Sequence, residues 1–323
     1  MKRLDNYWYS VNPVSILLTP LSWLFRIISA LRRFCYRRGL LTIYTLNVPV
    51  IVIGNISVGG TGKTPLVIWL VKQLQQAGYK PGIVSRGYRG KAQHWPQSVN
   101  ANSDPIMVGD ETVLLATHAA CPVVVAPDRV AAAKMLLNKH NCNIIVSDDG
   151  LQHYALHRDI EIIVIDGERR FGNTQCLPAG PLREPISRLN KSDIIIVNGG
   201  QTFSGEHSMK LIPQQIVNLV DQSQQWPNSG AANKTIHAVV GIGNPQRFFI
   251  TLKEMGFNLI EHVFPDHHAY NVNDIVFDDE LPVIMTEKDA VKCRSFAKIN
   301  HWFLPVTAEI NDAVSKQVLK MLS

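Results

Sequence analysis

The stretch from Val48 to Thr64 restricts the fold of this chain more than any other. Val50-Ile51-Val52-Ile53 is a β-branched apolar run, the composition of a strand buried on both faces. Gly59, Gly60 and Gly62 then free the backbone for a tight turn, and Thr64-Pro65 opens a helix whose apolar positions Leu66, Leu70 and Leu74 recur at helical spacing. Proline in a first helical turn costs no hydrogen bond, because the leading N–H groups have no partner there. Strand, glycine loop and helix N-terminus together gather N–H groups and the positive end of a helix dipole around an anion, and Lys63 adds a point charge. Ser57, Val58, Gly59, Gly60, Thr61, Gly62, Lys63 and Thr64 are therefore expected to hold a nucleoside triphosphate, with the Thr64 hydroxyl offered to Mg2+. The strict phosphate-loop pattern has glycine where this chain has Ser57. That leaves the first turn's geometry open while Gly-Lys-Thr stands.

The body continues in strand and helix alternation, which points to an α/β fold with a mostly parallel sheet. Strands are expected at 80–85, 105–108, 122–126, 143–148, 159–166 and 192–197, and helices at 112–118 and 127–139, with 91–104 a loop. The strand ending in Asp148-Asp149 is the expected complement of a phosphate loop, since ligands of open α/β sheets gather at the carboxyl ends of strands and a carboxylate there can hold magnesium. Gln152 and His153 follow in the same turn. Arg86 and Arg89 end another strand, where they could meet phosphate or face water. Leu177 to Pro185 is too rich in proline and glycine for regular structure and should form a shaped loop at the same rim, with Arg183 and Glu184 as candidate site groups. Asp110 and Glu111 follow the expected strand at 105–108, which places Asp110 at a strand end on that rim.

The net charge of +6 is unevenly spread. Residues 1–40 hold seven basic groups (Lys2, Arg3, Arg26, Arg32, Arg33, Arg37, Arg38) against Asp5, and the remainder of the chain is neutral. A nucleic-acid binder carries its basic patch on the folded domain, so nucleic acid is not the expected partner. Between Val14 and Cys35 the polar residues Ser15, Thr19, Ser22, Arg26, Ser29 and Arg33 recur at four-three-four spacing, opposite Leu17, Leu18, Leu21, Leu24, Phe25, Ile28 and Leu31. Arg26 and Pro20 interrupt a membrane span, and Arg32-Arg33 stands where a signal-peptide cleavage site would want small residues. Two readings remain: an interfacial helix whose arginines meet anionic lipid, with Tyr7, Trp8, Tyr9 and Trp23 at headgroup depth, or an amphipathic helix packed on the domain's own core. The five cysteines are odd in number and contain no Cys-x-x-Cys pair, which argues against a disulfide framework or a zinc site.

Residues 201–233 are polar and are expected to link the phosphate-loop unit at 41–200 to a smaller α/β unit at 234–323. Within the latter, Gly241-Ile-Gly243 reads as a structural βα turn, Thr286 as a helix cap or ligand contact, and His267-His268 as a turn where polar groups can face a cleft. No obligate protein partner is indicated.

Taken in order, Ser-Val-Gly-Gly-Thr-Gly-Lys-Thr-Pro (57–65), Ser-Arg-Gly-Tyr (85–88), Gly-Asp-Glu (109–111), Asp-Asp-Gly-Leu-Gln-His (148–153), Pro-Ala-Gly-Pro-Leu-Arg-Glu (178–184), Pro-Asp-His (265–267) and Thr-Glu-Lys-Asp-Ala-Val-Lys (286–292) give a chain that closely resembles the tetraacyldisaccharide 4'-kinases of lipid A synthesis. Ser57 is itself typical of that family. The resemblance implies a P-loop core with a second α/β domain closing over a cleft, and transfer of the γ-phosphoryl of ATP, with Mg2+, to the 4'-hydroxyl of a lipid disaccharide on the cytoplasmic face of the bacterial inner membrane. It maps a metal site onto Asp148, Asp149 and Gln152, with Arg183 and Glu184 close by, and a catalytic aspartate and histidine onto Asp110 and His267. The alternative is a membrane-associated switch ATPase, which would carry a signature lysine where this chain has Val58.

Overall fold

Two sheets organise residues 7–227 and 234–323, the part of the chain that the computed structural model describes. The first half runs α1 (Pro13–Arg37), β1 (Val50–Gly54), α2 (Lys63–Gln76), β2 (Pro81–Ser85), β3 (Gln97–Val99), α3 (Pro105–Val108), α4 (Asp110–His118), β4 (Val123–Val125), α5 (Arg129–Lys139), β5 (Ile144–Asp148), β6 (Ile160–Asp166), β7 (Ile194–Asn198) and β8 (Glu206–Pro213). Then come β9 (Val217–Asn218), β10 (Thr235–Val240), α6 (Pro245–Glu254), β11 (Asn258–Val263), α7 (Val272–Ile275), β12 (Val283–Thr286), α8 (Glu287–Cys293), β13 (His301–Leu304), β14 (Val306–Ile310) and α9 (Asp312–Leu322). The larger sheet has nine strands in the order β14-β8-β7-β6-β1-β5-β2-β4-β3. Its pairings are parallel from β4 to β8, with antiparallel edges at β3 and β14. The smaller sheet, β11-β10-β12-β13-β9, is parallel except for β9.

Strand β1 shows why the sheet is covered on both faces. Successive side chains of a strand point to opposite faces, and both sets here are apolar. Ile51 and Ile53 pack with Leu66, Val67 and Leu70 of α2, while Val50 and Val52 pack with Ala132, Ala133 and Leu136 of α5. That sandwich fixes the carboxyl ends of β1 and β5 side by side, in register at Ile53 and Asp148, and so sets the phosphate loop beside the aspartates.

Three expectations are corrected. Residues 105–108 form a helix, because the Asp104 side chain accepts from Ile106 N at 2.8 Å and Pro105 suits a first turn. Asp110 consequently begins α4 instead of ending a strand. The expected loop at 91–104 contains the short edge strand β3. The segment 201–233 is not simply a linker: β8 extends the larger sheet and β9 belongs to the smaller one. In addition β14 leaves the second half to pair with β8, and α9 sets Val314 and Val318 into the core under α2. Residues 228–233, the end of the expected linker, lie outside the described residues, as do residues 1–6 with Lys2 and Arg3.

Helix α1 rests on the body mainly by its polar stripe; of the expected apolar face, Leu18 and Phe25 are half-buried, Phe25 against the cluster of Ile56, Leu151, Ile163 and Leu182. Ser15 and Ser22 are buried, and the Ser22 hydroxyl donates to Cys176 O at 2.7 Å and accepts from Ala179 N at 3.0 Å. Arg33 Nη1 meets Glu184 Oε2 at 2.8 Å, so this arginine is not free for lipid. Leu17, Leu21, Leu24, Ile28 and Leu31 face outward, each more than half exposed. Serine is short enough to let the helix approach the 176–179 loop and satisfies two backbone groups there. Removing that hydroxyl leaves buried polar groups without partners, at a cost of about 1–3 kcal/mol. Ser22→Ala is therefore expected to lower the thermal midpoint of the detergent-solubilised protein clearly more than Ser29→Ala does; equal midpoints would mean the helix is not seated through Ser22.

Candidate active site

The phosphate loop is held from three sides. Gly62 caps α2 in the left-handed region at φ 92°, and a Cβ there would come within 2.4 Å of Asn198 Nδ2. That same amide, from the end of β7, donates to Thr61 O at 3.1 Å. On a second side Val58 N donates to Pro181 O at 2.8 Å and Arg183 N to Ile56 O at 2.7 Å, so the proline- and glycine-rich loop lies against the phosphate loop as a strap. On the third, Arg169 pairs with Asp166 and donates to Gly60 O at 3.0 Å and to Gly243 O at 2.8 Å. The Gly241–Gly243 turn does join β10 to α6, and it also presses on the loop: a Cβ at Gly243 would sit 2.8 Å from Gly60 N. Asp166, at the end of the strand expected at 159–166, anchors this bridge, and Arg169, three residues on, carries no motif in the sequence that marks its role.

Asp148 and Asp149 differ sharply in environment. Asp149 has φ 46°, a left-handed conformation uncommon outside glycine, which turns its carboxylate toward Lys63 Nζ at 3.4 Å and Arg183 Nη1 at 3.2 Å. Burial opposes its charge, but Lys63, Arg183 and Arg129 outweigh that and hold it below the usual carboxylate range. Asp148 is buried and accepts from Ser85 Oγ at 3.0 Å through one oxygen; among the described residues the other has no partner. Burial first, then Glu111 and Asp149, push its pKa up to about 7. A buried carboxylate oxygen without a partner is what a cation would satisfy. Among the described residues no three His, Cys, Asp or Glu side chains converge. A phosphate-bound Mg2+ asks for only one or two carboxylates, so the residues fit Mg2+ held with a nucleotide.

Two candidates from the sequence are engaged elsewhere. Gln152 Nε2 donates to Asn55 O at 3.2 Å and to Glu184 Oε1 at 2.9 Å. Glu184, 2% exposed, also accepts from Tyr154 at 2.7 Å and pairs with Arg33 and Arg188. Glu184 thus anchors the strap to α1 and stands behind the site.

Asp110 and His267 are brought together from opposite halves of the chain. His267 Nδ1 lies 3.1 Å from Asp110 Oδ2, and His267 is itself left-handed at φ 59°. Its N–H to Gly241 O at 3.2 Å fixes it to the turn that abuts the phosphate loop. Burial opposes charge on Asp110, but the His267 hydrogen bond with Lys288 and Lys292 holds its pKa well below the ordinary value. A cavity of about 370 Å³ joins these parts: Val58, Gly59, Gly60, Lys63, Arg86, Glu111, Asp148, Asp149, Arg183 and His267 all line it. A second cavity of about 360 Å³ shares Gly60, Lys63, Glu111 and Gly243 with the first and has Thr61, Gly62, Thr64, Ile68, Trp69 and Phe248 in its walls.

The family model described as LpxK, tetraacyldisaccharide-1-P 4'-kinase, matches residues 14–323. This chain belongs to that kinase family. The tetraacyldisaccharide 4'-kinase of Nitrosococcus oceani is 51% identical over 98% of this chain and 93% of its own length, and that of Aeromonas salmonicida 48% identical over 99% and 96%. The crystal structure of the apo form of LpxK from Aquifex aeolicus in complex with ATP matches with a TM-score of 0.79 at 28% identity, covering 96% of this chain and 100% of that one. The two-sheet α/β architecture is thus the fold of the 4'-kinase family.

The raised pKa of Asp148 has a measurable consequence. A cation on Asp148 competes with a proton, so its binding weakens as pH falls through about 7. The Mn2+ affinity of the ATP-loaded protein, followed by electron paramagnetic resonance, is expected to drop about tenfold between about pH 8 and about pH 6. Asp148→Asn should bind weakly and show little slope; a wild-type slope in that variant would place the titrating group elsewhere.

Proposed function

We propose that the cleft transfers the γ-phosphoryl group of ATP to the 4'-hydroxyl of a tetraacyldisaccharide 1-phosphate, the kinase step of lipid A biosynthesis. The observation that carries this reading is the Asp110–His267 pair, 3.1 Å apart, beside the cavity that also holds Lys63, Asp149 and Arg183. A switch ATPase needs no acid and imidazole waiting beside the phosphates. An alcohol acceptor does, because its proton must go somewhere as the oxygen takes the phosphoryl group.

Phosphoryl transfer is mainly positioning and charge stabilisation. Lys63 and the loop N–H groups hold the phosphates, and Arg183 keeps the Asp149 carboxylate in place. Asp148, Asp149 and Thr64 would hold Mg2+ with the nucleotide, and the ion would supply positive charge to the phosphate oxygens. The second cavity, walled by Ile68, Trp69 and Phe248 and opening on Thr64, suits the nucleoside end of ATP. Asp110 takes the hydroxyl proton, with His267 as its hydrogen-bonded partner.

Helix α1 suits a lipid acceptor. Its outward apolar face seats in the interfacial region of a bilayer, and the exposed Arg26, Arg32, Arg37 and Arg38 meet anionic headgroups. By length and hydropathy α1 could cross a membrane, yet Ser22 and Arg33 tie it to the body along its side, which favours peripheral attachment. The attachment is to the cytoplasmic face, where ATP is available.

Thin-layer analysis of labelled ATP with the lipid disaccharide tests the reading: label on lipid supports it, whereas label only in inorganic phosphate overturns it. Asp110→Ala and His267→Ala are each expected to lower kcat roughly 10²–10⁴-fold with little change in the ATP KM. The double variant should be little worse than Asp110→Ala, because residues acting as a unit are not additive. Fully multiplicative losses would separate the two.

A further inference from the structure

Lys288 has no part in the transfer described above, although it lines the second cavity and reaches the ring of His267. It lies on α8, and its ammonium is 2.8 Å from Glu111 Oε1, 3.4 Å from Asp266 Oδ1 and 3.3 Å from His267 Nε2. Burial works against charge on Lys288, but Glu111, Asp110 and Asp266 outweigh it and lift its pKa above the ordinary lysine value. An ammonium has three N–H donors and no acceptor. Each of the three donors therefore has a target, and Nε2 must present its lone pair.

A neutral imidazole carries one N–H. With Nε2 accepting from Lys288, the proton resides on Nδ1, 3.1 Å from Asp110 Oδ2. Asp110 requires the same arrangement, since a carboxylate held ionised can only accept. The other groups around the ring leave this unchanged. Tyr88 meets it edge-on at 5.1 Å, Arg89 donates to the carbonyls of Asp266 and His267, and Lys292 is paired with Asp289 at 2.8 Å. Asp266 Oδ1, the other acceptor facing Nε2, is 3.8 Å away, too far to take a proton from it in a hydrogen bond.

We propose that Lys288 is a positioning residue for phosphoryl transfer: it occupies the lone pair of His267 Nε2, fixes the Nδ1–H tautomer, and makes His267 a hydrogen-bond donor to Asp110 instead of a second proton acceptor. This rests on Asp110 as the group that takes the hydroxyl proton. As the acceptor oxygen bonds to the γ-phosphorus and the bond to the leaving ADP breaks, the proton moves to Asp110 alone. A weakly basic carboxylate suffices, because a loose transition state leaves little negative charge on the attacking oxygen until late. Lys288 also joins α8 to Glu111 on α4, so the tautomer is set when the two halves meet.

Histidine-selective 15N NMR of the full-length protein in detergent micelles reads the tautomer directly, with the His267 signals assigned by their loss in His267→Gln. Wild type is expected to show protonated Nδ1 and unprotonated Nε2. Lys288→Met should lose that pattern and lower kcat about 10²-fold, with the ATP KM within about twofold, and Lys288→Arg, which keeps a donor, should recover much of both. An Nε2–H tautomer in wild type overturns the proposal without any Lys288 variant, even one that fails to fold. An unchanged His267 spectrum in Lys288→Met, or a loss confined to the ATP KM, overturns it equally. The spectrum is independent of turnover, so retained activity in Asp110→Ala would refute the underlying reading separately.

Discussion

Two adjacent carboxylates at the end of a buried strand are the constraint on which the cleft depends. Charge taken out of water is costly unless it is paired, and Asp148 and Asp149 arrive together because β5 ends between β1 and β2. The chain resolves this by treating them differently. Asp149 turns back through a left-handed backbone to meet Lys63 and Arg183. Asp148 stays in the strand with one hydroxyl for company and an oxygen unmatched. Lys63 therefore compensates a buried charge within the fold, and Arg183 must be delivered from a distant segment, the strap at 177–185.

The strap in turn explains the position of α1. It runs between the helix and the phosphate loop, bonded to Ser22 on one side and to Ile56 and Val58 on the other. The helix meets the protein through Ser15, Ser22 and Arg33, with Phe25 half-buried beside them, and presents leucines outward. The strap is thus one wall shared by α1 and the phosphate loop.

Much of this was legible in the sequence wherever local physics decides the outcome. Val50 to Ile53, the glycine loop and Asp148-Asp149 specify a buried strand, a tight turn and a strand end regardless of the rest of the chain. The errors fall where a few atoms or distant pairing decide. Pro105 to Val108 is as apolar as a strand, and one side-chain hydrogen bond from Asp104 makes it a helix. Glu206 to Pro213 is too polar to read as a strand, because it pairs near the sheet edge with much of its surface in water. The polar stripe of α1 was visible, but not the side on which it would be buried, since periodicity gives two faces without saying which meets the protein. Glu184 and Gln152 are expected as site groups; Glu184 is met by Arg33 from α1, by Tyr154 and Gln152 from the turn after β5 and by Arg188 one turn on, and these contacts decide that it braces the strap.

The two halves are joined by different forces at their two ends. At one, β14 pairs along β8 and α9 buries valines under α2, a hydrogen-bonded and apolar join that is expensive to separate. At the other, α4 faces α8 through Glu111–Lys288, His118–Glu287 and Asp110–His267, charged and polar contacts that water can replace. Interfaces of the second kind part readily. The Asp110–His267 pair and the Lys288 contact lie wholly in that second, polar end, while the phosphate loop and both aspartates belong to the larger sheet. Of the parts of the cleft, the Asp110–His267 pair is therefore the one whose geometry depends most directly on how the two halves meet.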